Sequence, residues 1–304
     1  MLPSVHIELW GFPMKPAPFD YYAPETVDEA VSLLKKLEDD DIDAKILAGG
    51  QSLMPMLSLR MARPDALVDL GKIKTLDYIR EENGVIHIGA MTTKRAAEDS
   101  ALLQQKQPLL HVATQHIGHR QIRNQGTVGG SFAHADPAAE YGAVAQALGM
   151  EMVVVGPDGE RVIPVDEFYL SFLTTDIDCC EVLTEVRAPV MPEGTGWGFQ
   201  EICRREGDLA IAGVAVTLKM EAGSCVDVVI AVFGVNAIAA RLDDAEQVVN
   251  GNTPGEALFA QAGKAAAAAL DEPITDVHAT AEYRRSLIAT LVKRCLAEAV
   301  SRAA

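Results

Sequence analysis

Two glycine pairs in this sequence have the surroundings of backbone segments that bind phosphate. Residues 46–53 read Ile-Leu-Ala-Gly-Gly-Gln-Ser-Leu, and residues 124–131 read Asn-Gln-Gly-Thr-Val-Gly-Gly-Ser. Glycine lets the main chain approach a ligand closely, and backbone N–H groups can hold a diphosphate without a lysine. We therefore predict a diphosphate-bearing cofactor that is held from two sides, with contacts from the hydroxyl groups of Ser52, Thr127 and Ser131.

The other motifs argue against hydrolysis and against a metal centre in this chain. Neither glycine pair is followed by the lysine of a GxxxxGK[ST] loop, which argues against ATP or GTP hydrolysis. Residues 194–198 begin like a dinucleotide fingerprint, but Phe199 stands where its last glycine belongs, so we interpret the segment as an interdomain turn. Ser131 lacks the GxSxG setting of a hydrolase nucleophile. These motifs give no support for hydrolytic chemistry, and we predict no metal ligand, although four histidines are close in sequence: His111, His116, His119 and His134.

Composition limits the class of protein. With 304 residues, 49% of them apolar, the chain can bury sizeable cores and form two domains. Acidic residues outnumber basic residues by 43 to 26 and give a formal charge of −17, so no binding to nucleic acid or to an anionic membrane is expected. No apolar run reaches the roughly 18 to 20 residues of a membrane span, and no export signal is found, which predicts a cytoplasmic protein. The five cysteines form no CxxC pair, which predicts free thiols and no iron-sulfur centre in this chain.

Helix and strand patterns surround the glycine pairs. Thr26 and Glu29 form a capping box at the start of an amphipathic helix within residues 24–39, and a buried strand at 46–48 leads into the first pair. Gly156-Pro-Asp-Gly159 predicts a hairpin turn. Further strands are predicted at 66–70, 85–89, 152–155, 161–165 and 181–187, with a charged turn at 81–84, and further helices at 94–100, 108–117 and 137–148.

A change of composition divides the chain. Pro, Gly and Thr concentrate between residues 189 and 198, and we place a domain boundary there. Residues 1–190 would form the first domain, with subdomains at about 1–70 and 71–190, and residues 191–304 the second. Strands followed by helices in the second domain indicate the α+β class. Its strands are predicted at 210–220 and 226–233, and its helices at about 240–250, 255–270 and 280–302.

Four segments in this order resemble the FAD-binding medium subunit of molybdenum hydroxylases. That family includes the carbon monoxide dehydrogenase medium chain and the flavin domain of xanthine dehydrogenase. The resemblance covers about residues 17–300 and rests on several motifs rather than on one glycine pair. The segments are AGGQSLMPMLSLRMARPDALVDL (48–70), QIRNQGTVGGSFAHADPAAE (121–140), EVLTEVRAP (181–189) and RREGDLAIAGVAV (204–216).

The resemblance implies a flavoprotein fold of the PCMH or vanillyl-alcohol-oxidase type, in which two α/β subdomains hold FAD, followed by a smaller C-terminal domain. The first glycine segment would wrap the diphosphate, and the second would meet it from the opposite subdomain. Glu140 stands where relatives usually have an aspartate that contacts FAD. Leu183 and Leu209 match positions that border the isoalloxazine ring, and core packing is the alternative role of both leucines. The implied cofactor-binding residues are Leu47, Ala48, Gly49, Gly50, Gln51, Ser52, Leu53, Ile117, Thr127, Gly129, Gly130, Ser131, Glu140, Leu183 and Leu209.

The resemblance also implies partner subunits. A large subunit would carry the molybdenum cofactor and hydroxylate the substrate with water, and a small subunit would carry [2Fe-2S] clusters. Electrons would pass from these clusters to FAD in this chain and then to an external acceptor, within a heterotrimer or its dimer. Two alternatives stay open: a stand-alone FAD-dependent oxidoreductase of the same fold, and a non-catalytic scaffold subunit.

Overall fold

A computed structural model describes residues 14–303, so residues 1–13 and 304 of the two predicted domains lie outside the described residues. The first unit is a three-stranded parallel sheet with strand order β1-β3-β2, covered by helix α1. Thr26 caps α1 by accepting a hydrogen bond from the Glu29 N–H, which confirms the predicted helix start. The elements are β1 (Asp20–Tyr22), α1 (Val27–Asp39), β2 (Ala44–Leu47), α2 (Leu53–Ser58) and β3 (Ala66–Asp69).

The second unit is a five-stranded antiparallel sheet packed against short helices. Its strand order is β4-β5-β10-β6-β7, so the last strand in sequence lies at the centre. Phe132 and Tyr141 stack in its core with ring centroids 5.4 Å apart. The elements are β4 (Ile79–Glu82), β5 (Val85–Gly89), α3 (Lys94–Glu98), α4 (Ala101–Lys106), α5 (Pro108–His116), α6 (Arg120–Arg123), α7 (Val128–His134), α8 (Glu140–Leu148), β6 (Glu151–Gly156), β7 (Gly159–Pro164), α9 (Val165–Phe168), β8 (Tyr169–Ser171), β9 (Thr174–Thr175) and β10 (Val182–Pro189).

The third unit is a four-stranded antiparallel sheet with order β11-β12-β13-β14. Helix α8 of the second unit packs on β12 and β13, and Phe199 stacks on Phe233 within the core that both units share. A separate core lies under the C-terminal helices. The elements are β11 (Gly196–Ile202), β12 (Ala212–Glu221), β13 (Ser224–Phe233), β14 (Ala240–Arg241), α10 (Asp243–Val249), α11 (Glu256–Ala269) and α12 (Ala281–Arg302).

Helix α12 lies directly on β11 because two residues of that strand are glycines. A Cβ atom at Gly196 would lie 1.9 Å from the carbonyl oxygen of Ala299, and one at Gly198 would lie 2.3 Å from that of Cys295. Both distances are far below van der Waals contact, so any larger residue would displace the helix. The prediction of an interdomain turn at 194–198 is therefore wrong for residues 196–198, which form the start of a strand.

Several other predicted elements are present with different bounds. The helix predicted at about 240–250 is α10, which starts at Asp243 after the short strand β14. The charged segment at 81–84 belongs largely to strand β4, which pairs with β5 across a turn at Asn83-Gly84. The helix predicted from residue 137 begins at Glu140. The hairpin at 152–165 is confirmed, as is the α+β class.

No helix within residues 14–303 combines the length and the apolar character that crossing a membrane requires.

Candidate functional site

The first glycine pair lies in the connection between strand β2 and helix α2. Gly50 has a φ of +71°, a conformation in which glycine is favoured over residues with a side chain. The backbone N–H groups of residues 49–53 find no acceptor among residues 14–303, whereas the N–H groups of the following turn of α2 bond to Gly50 and Ser52. Five consecutive free N–H groups at a partly exposed turn are suited to an anion with several oxygens.

The second glycine pair lies directly beside the first. A Cβ atom at Gly49 would lie 2.2 Å from the carbonyl oxygen of Gln125, and one at Gly130 would lie 3.4 Å from Cβ of Ala48. The structure therefore brings the two predicted segments together, and close approach of the two main chains requires glycine at position 49.

The second segment differs from the predicted loop, because its glycines form the first turn of helix α7. Thr127 caps this helix by accepting a hydrogen bond from the Gly130 N–H at 3.1 Å. The N–H groups of Val128 and Gly129 donate to the carbonyl oxygens of Thr92 and Ala90. Since these groups are already satisfied, the free donors of the site are concentrated in residues 49–53.

A buried lysine next to the glycine segments was missed by the sequence analysis. Lys94 starts helix α3 and is only 8% exposed. Its Nζ lies 5.9 Å from the ring centroid of Tyr141, and its Cδ would be 3.7 Å from a Cβ at Gly126. Burial lowers the pKa of this lysine. The sequence signal was its spacing of three residues from the buried Ala97, which places both on the inner face of α3.

Glu140 is buried at the start of helix α8. Burial and the nearby charge of Glu201 raise its pKa, while the positive charge of Lys94 acts in the opposite direction. The pKa of Glu140 is thus raised and the pKa of Lys94 is lowered, and both shifts favour the neutral form of the side chain.

Ile117 and Leu209 lie on two connections that touch each other. Arg123 donates hydrogen bonds to the carbonyl oxygens of Ile117 at 3.2 Å and of Gly118 at 2.7 Å. A Cβ at Gly207 would lie 2.4 Å from Nδ1 of His119, so the turn before Leu209 packs on the connection after Ile117. Arg123 was not predicted, and its long-range partner is Glu98, whose carboxylate accepts from Arg123 Nε at 2.9 Å across 25 positions of sequence.

The two predicted leucines have different surroundings. Leu183 is 5% exposed on strand β10, within the same core as Ile117, at a point where the register with β6 shifts. Leu209 is 65% exposed, so the alternative of core packing is wrong for this residue. An exposed leucine on a turn beside a cofactor site is available to contact a flat apolar ligand.

His111, His116, His119 and His134 belong to no group of three close metal-ligating atoms among residues 14–303. The Nδ1 atom of His116 lies 3.4 Å from Oε1 of Glu201, and this pairing with the carboxylate raises the pKa of His116. Among residues 14–303 the one group with three close metal-ligating atoms consists of Glu38, Cys179 and Cys180.

Comparison with known proteins identifies the family. Residues 17–191 match the family described as the FAD binding domain in molybdopterin dehydrogenase, and residues 197–299 match the CO dehydrogenase flavoprotein C-terminal domain. The chain belongs to this flavoprotein family. It is an FAD-binding subunit of the molybdenum-dependent dehydrogenases, and so an oxidoreductase subunit. The backbone donors of residues 49–53 fit the diphosphate of that cofactor.

Individual relatives cover almost the whole chain. The 6-hydroxypseudooxynicotine dehydrogenase complex subunit alpha of Paenarthrobacter nicotinovorans is 42% identical over 95% of this chain and 97% of its own. The carbon monoxide dehydrogenase medium chain of Hydrogenophaga pseudoflava is 38% identical over 96% of this chain and 100% of its own. A solved structure of carbon monoxide dehydrogenase from Hydrogenophaga pseudoflava, lacking the Mo-pyranopterin moiety of the molybdenum cofactor, superposes with a TM-score of 0.91 at 39% identity, over 95% of this chain and 99% of the other.

Proposed function

We propose that this chain is the electron-transfer subunit of a molybdenum hydroxylase. It would accept electrons from [2Fe-2S] clusters of a small partner subunit and deliver them from FAD to an external acceptor. A large partner subunit would carry the molybdenum cofactor, in a heterotrimer or its dimer. The proposal is supported by the family of both parts of the chain and by relatives that are subunits of such dehydrogenases.

The observation that carries the proposal is the run of free backbone donors in residues 49–53 beside the second glycine pair. We propose that these N–H groups hold the diphosphate of FAD, with the hydroxyl groups of Ser52 and Ser131 beside them. Thr127 would fix the first turn of helix α7, because its hydroxyl oxygen accepts from the Gly130 N–H, and its O–H group would still be able to donate to a phosphate oxygen. The negative charge of the diphosphate would be partly balanced by the buried Lys94.

The remaining predicted residues would place the flavin ring. Ile117 and Leu183 belong to one apolar core, which suits the edge of an isoalloxazine ring, and Leu209 would cover part of the ring from the turn at 204–209. When bound, FAD supplies a centre that takes electrons singly and releases them as a pair. The protein supplies position, exclusion of water and local charge. No acid, base or nucleophile of this chain is assigned to a bond-breaking step.

The proposal includes the division of the chain near residue 190. The first family match ends at residue 191 and the second begins at residue 197, which supports a domain boundary between them. The core that contains Phe199 and Phe233 also contains residues of the second unit, such as Tyr141 and Val144, so the two proposed domains share apolar packing.

Co-purification tests the function. The tagged full-length chain, expressed in its own host, should retain one larger chain that contains molybdenum and one smaller chain that contains iron, and should itself carry extractable FAD. A chain that purifies alone with FAD and oxidises an organic donor would support the stand-alone oxidoreductase instead. A chain that assembles with partners but holds no flavin would support the scaffold.

Substitution of Gly49 tests the cofactor site within the same complex. Gly49→Ala should displace residues 125–126, because its Cβ would lie 2.2 Å from the Gln125 carbonyl oxygen. We expect at least a tenfold loss of FAD affinity, measured by flavin release and rebinding. Gly255→Ala is the matched control, since no atom lies within 4 Å of a Cβ at that position. Equal FAD affinity in both variants would contradict the proposed diphosphate site.

A further inference from the structure

Two adjacent cysteines meet a glutamate from a distant part of the sequence, outside the residues assigned to the cofactor. Cys179 and Cys180 lie in the turn before strand β10, and Glu38 lies in the last turn of helix α1. From this geometry we propose that Glu38, Cys179 and Cys180 form a site for a thiophilic divalent cation, of which Zn²⁺ is the best match.

The distances are close to those of a tetrahedral zinc site. The two sulfur atoms are 3.9 Å apart. Zn–S bonds of about 2.3 Å at a tetrahedral angle place two sulfurs about 3.8 Å apart, so the cysteines need no rearrangement. The Glu38 oxygens lie 2.7 Å from Sγ of Cys179 and 2.9 Å from Sγ of Cys180. Around a tetrahedral zinc ion the sulfur and oxygen ligands are about 3.5 Å apart, so the carboxylate would have to move outward by somewhat less than about 1 Å. The Glu38 side chain is 47% exposed and has room to do so.

The ligand set selects the class of metal. Thiolates favour zinc and other thiophilic ions over Mg²⁺ or Ca²⁺, which prefer sites built of oxygen ligands. Three protein ligands leave the fourth tetrahedral position for water. Asp178 is next to the site, with Oδ1 at 3.0 Å from Sγ of Cys179, and orients that sulfur rather than completing the ligand set.

The charges of the site also accommodate a divalent cation. Binding releases the two thiol protons to solvent as the two Zn–S bonds form, so two thiolates and one carboxylate surround the ion. The site therefore carries one negative charge before and after binding. Lys35 is the nearest cation, with Nζ at 3.6 Å from Glu38 Oε2, and its interaction with that carboxylate can persist. Lys35 also forms an ion pair with Asp39.

The position of the site gives it a structural role. Glu38 belongs to the first subdomain, whereas the two cysteines belong to the second. Cys180 is 3% exposed, so its sulfur is fixed in the contact between them, and Cys179 faces solvent. A bound ion would link α1 to the start of β10, the strand that carries Leu183.

Zinc titration of the chelator-treated full-length flavoprotein tests the proposal. Native mass spectrometry and calorimetry with Zn²⁺ alone should show one ion per chain. Cys179→Ser combined with Cys180→Ser should abolish this binding, and Glu38→Gln should raise the Kd at least tenfold. Asp28→Asn is the matched control for charge, because Asp28 is an exposed acidic residue in the first turn of the same helix, away from Glu38 in the last turn, and it should leave the Kd unchanged.

A measurement on the unmodified chain guards against variants that fail to fold. Zn²⁺ should slow the alkylation of Cys179 and Cys180 and should leave the alkylation of Cys203 unchanged. Peptide mapping measures the extent of alkylation at each cysteine. The proposal is overturned if the double variant binds zinc as tightly as the native chain, or if Zn²⁺ protects neither of the adjacent cysteines.

Discussion

At the scale of single residues, the proposed cofactor site combines backbone donors that have no acceptor among residues 14–303 with two buried ionisable side chains. Lys94 and Glu140 are each less than a tenth exposed, and burial shifts the pKa of both toward the neutral form. Burying a charged group costs free energy unless it is paired and hydrogen-bonded, because charge is poorly solvated in a core. The residues around FAD are therefore expected to show a pH dependence that surface residues do not.

Glu140→Gln should make this dependence visible in the chain freed of FAD. The folded state raises the pKa of Glu140, so it binds more protons than the unfolded state at pH values above the ordinary range of a glutamate. Stability is then lost as pH rises from about 4.5 toward the raised value, by at most about 1.4 kcal/mol per pH unit. Glutamine does not ionise, so the variant should gain relative stability over this window. Urea unfolding at several pH values measures the difference.

The exposed Glu206 provides the control for that experiment. Glu206→Gln makes the same change of charge in the turn at 204–209, and the stability of this variant should follow the pH profile of the native chain. If Glu140→Gln and the native chain showed parallel profiles, the burial of an ionisable carboxyl at position 140 would not be affecting stability.

At the scale of elements, glycine is used in three different ways. In residues 49–50 it permits a turn with free donors, at 129–130 it forms the tightly packed start of helix α7, and at 196 and 198 it lets helix α12 lie on a strand. From sequence all three segments are predicted to be loops or turns, because glycine has a low intrinsic preference for helix and strand. Only the first interpretation was right, since the other two depend on packing partners that are distant in sequence.

Gly198→Ala should destabilise the C-terminal unit without weakening FAD binding. Its Cβ would lie 2.3 Å from the carbonyl oxygen of Cys295, so helix α12 must shift along most of its contact with β11. Overpacking of this kind costs about 1 to 3 kcal/mol, and urea unfolding should show a loss in that range. Gly255→Ala should change stability by less. Unchanged stability of Gly198→Ala would mean that the helix and strand are not packed as closely as described.

Local features were predicted well and tertiary features were not. The cap at Thr26 and the hairpin at 156–159 depend on neighbouring residues, and both were confirmed. The association of the two glycine segments followed from their similar chemistry. Lys94 lies near Tyr141 and Arg123 pairs with Glu98, and both contacts join residues that are distant in sequence, so the local pattern does not identify these partners.

At the scale of the whole molecule, an acidic chain is expected to bind an anionic cofactor. The formal charge of −17 repels the diphosphate at long range, so affinity must come from short-range donors and from the apolar surface under the ring. Those donors lie on the first unit, and the predicted ring-side residues lie on the second and third. Bound FAD should therefore stabilise contacts among all three.

Comparison of three flavins should separate these contributions. FAD at 100 times its Kd should raise the free energy of unfolding by about 2.7 kcal/mol. FMN at the same concentration, with one phosphate, should raise it less, and riboflavin, without phosphate, least of all. Thermal unfolding with each ligand provides the measurement. An equal effect of riboflavin and FAD would show that residues 49–53 contribute nothing to binding.

The central place of strand β10 has a consequence for the synthesis of the protein. Residues 182–189 are the last of their sheet to be made, yet they separate β5 from β6. Until they leave the ribosome, both neighbouring strands expose unpaired edges, which are prone to pair with other chains. Closure of the sheet also joins residues that are about a hundred positions apart, which is slow compared with local folding. The nascent chain therefore passes through a period in which it depends on late insertion of one strand, and chaperones that cover strand edges should act at this stage.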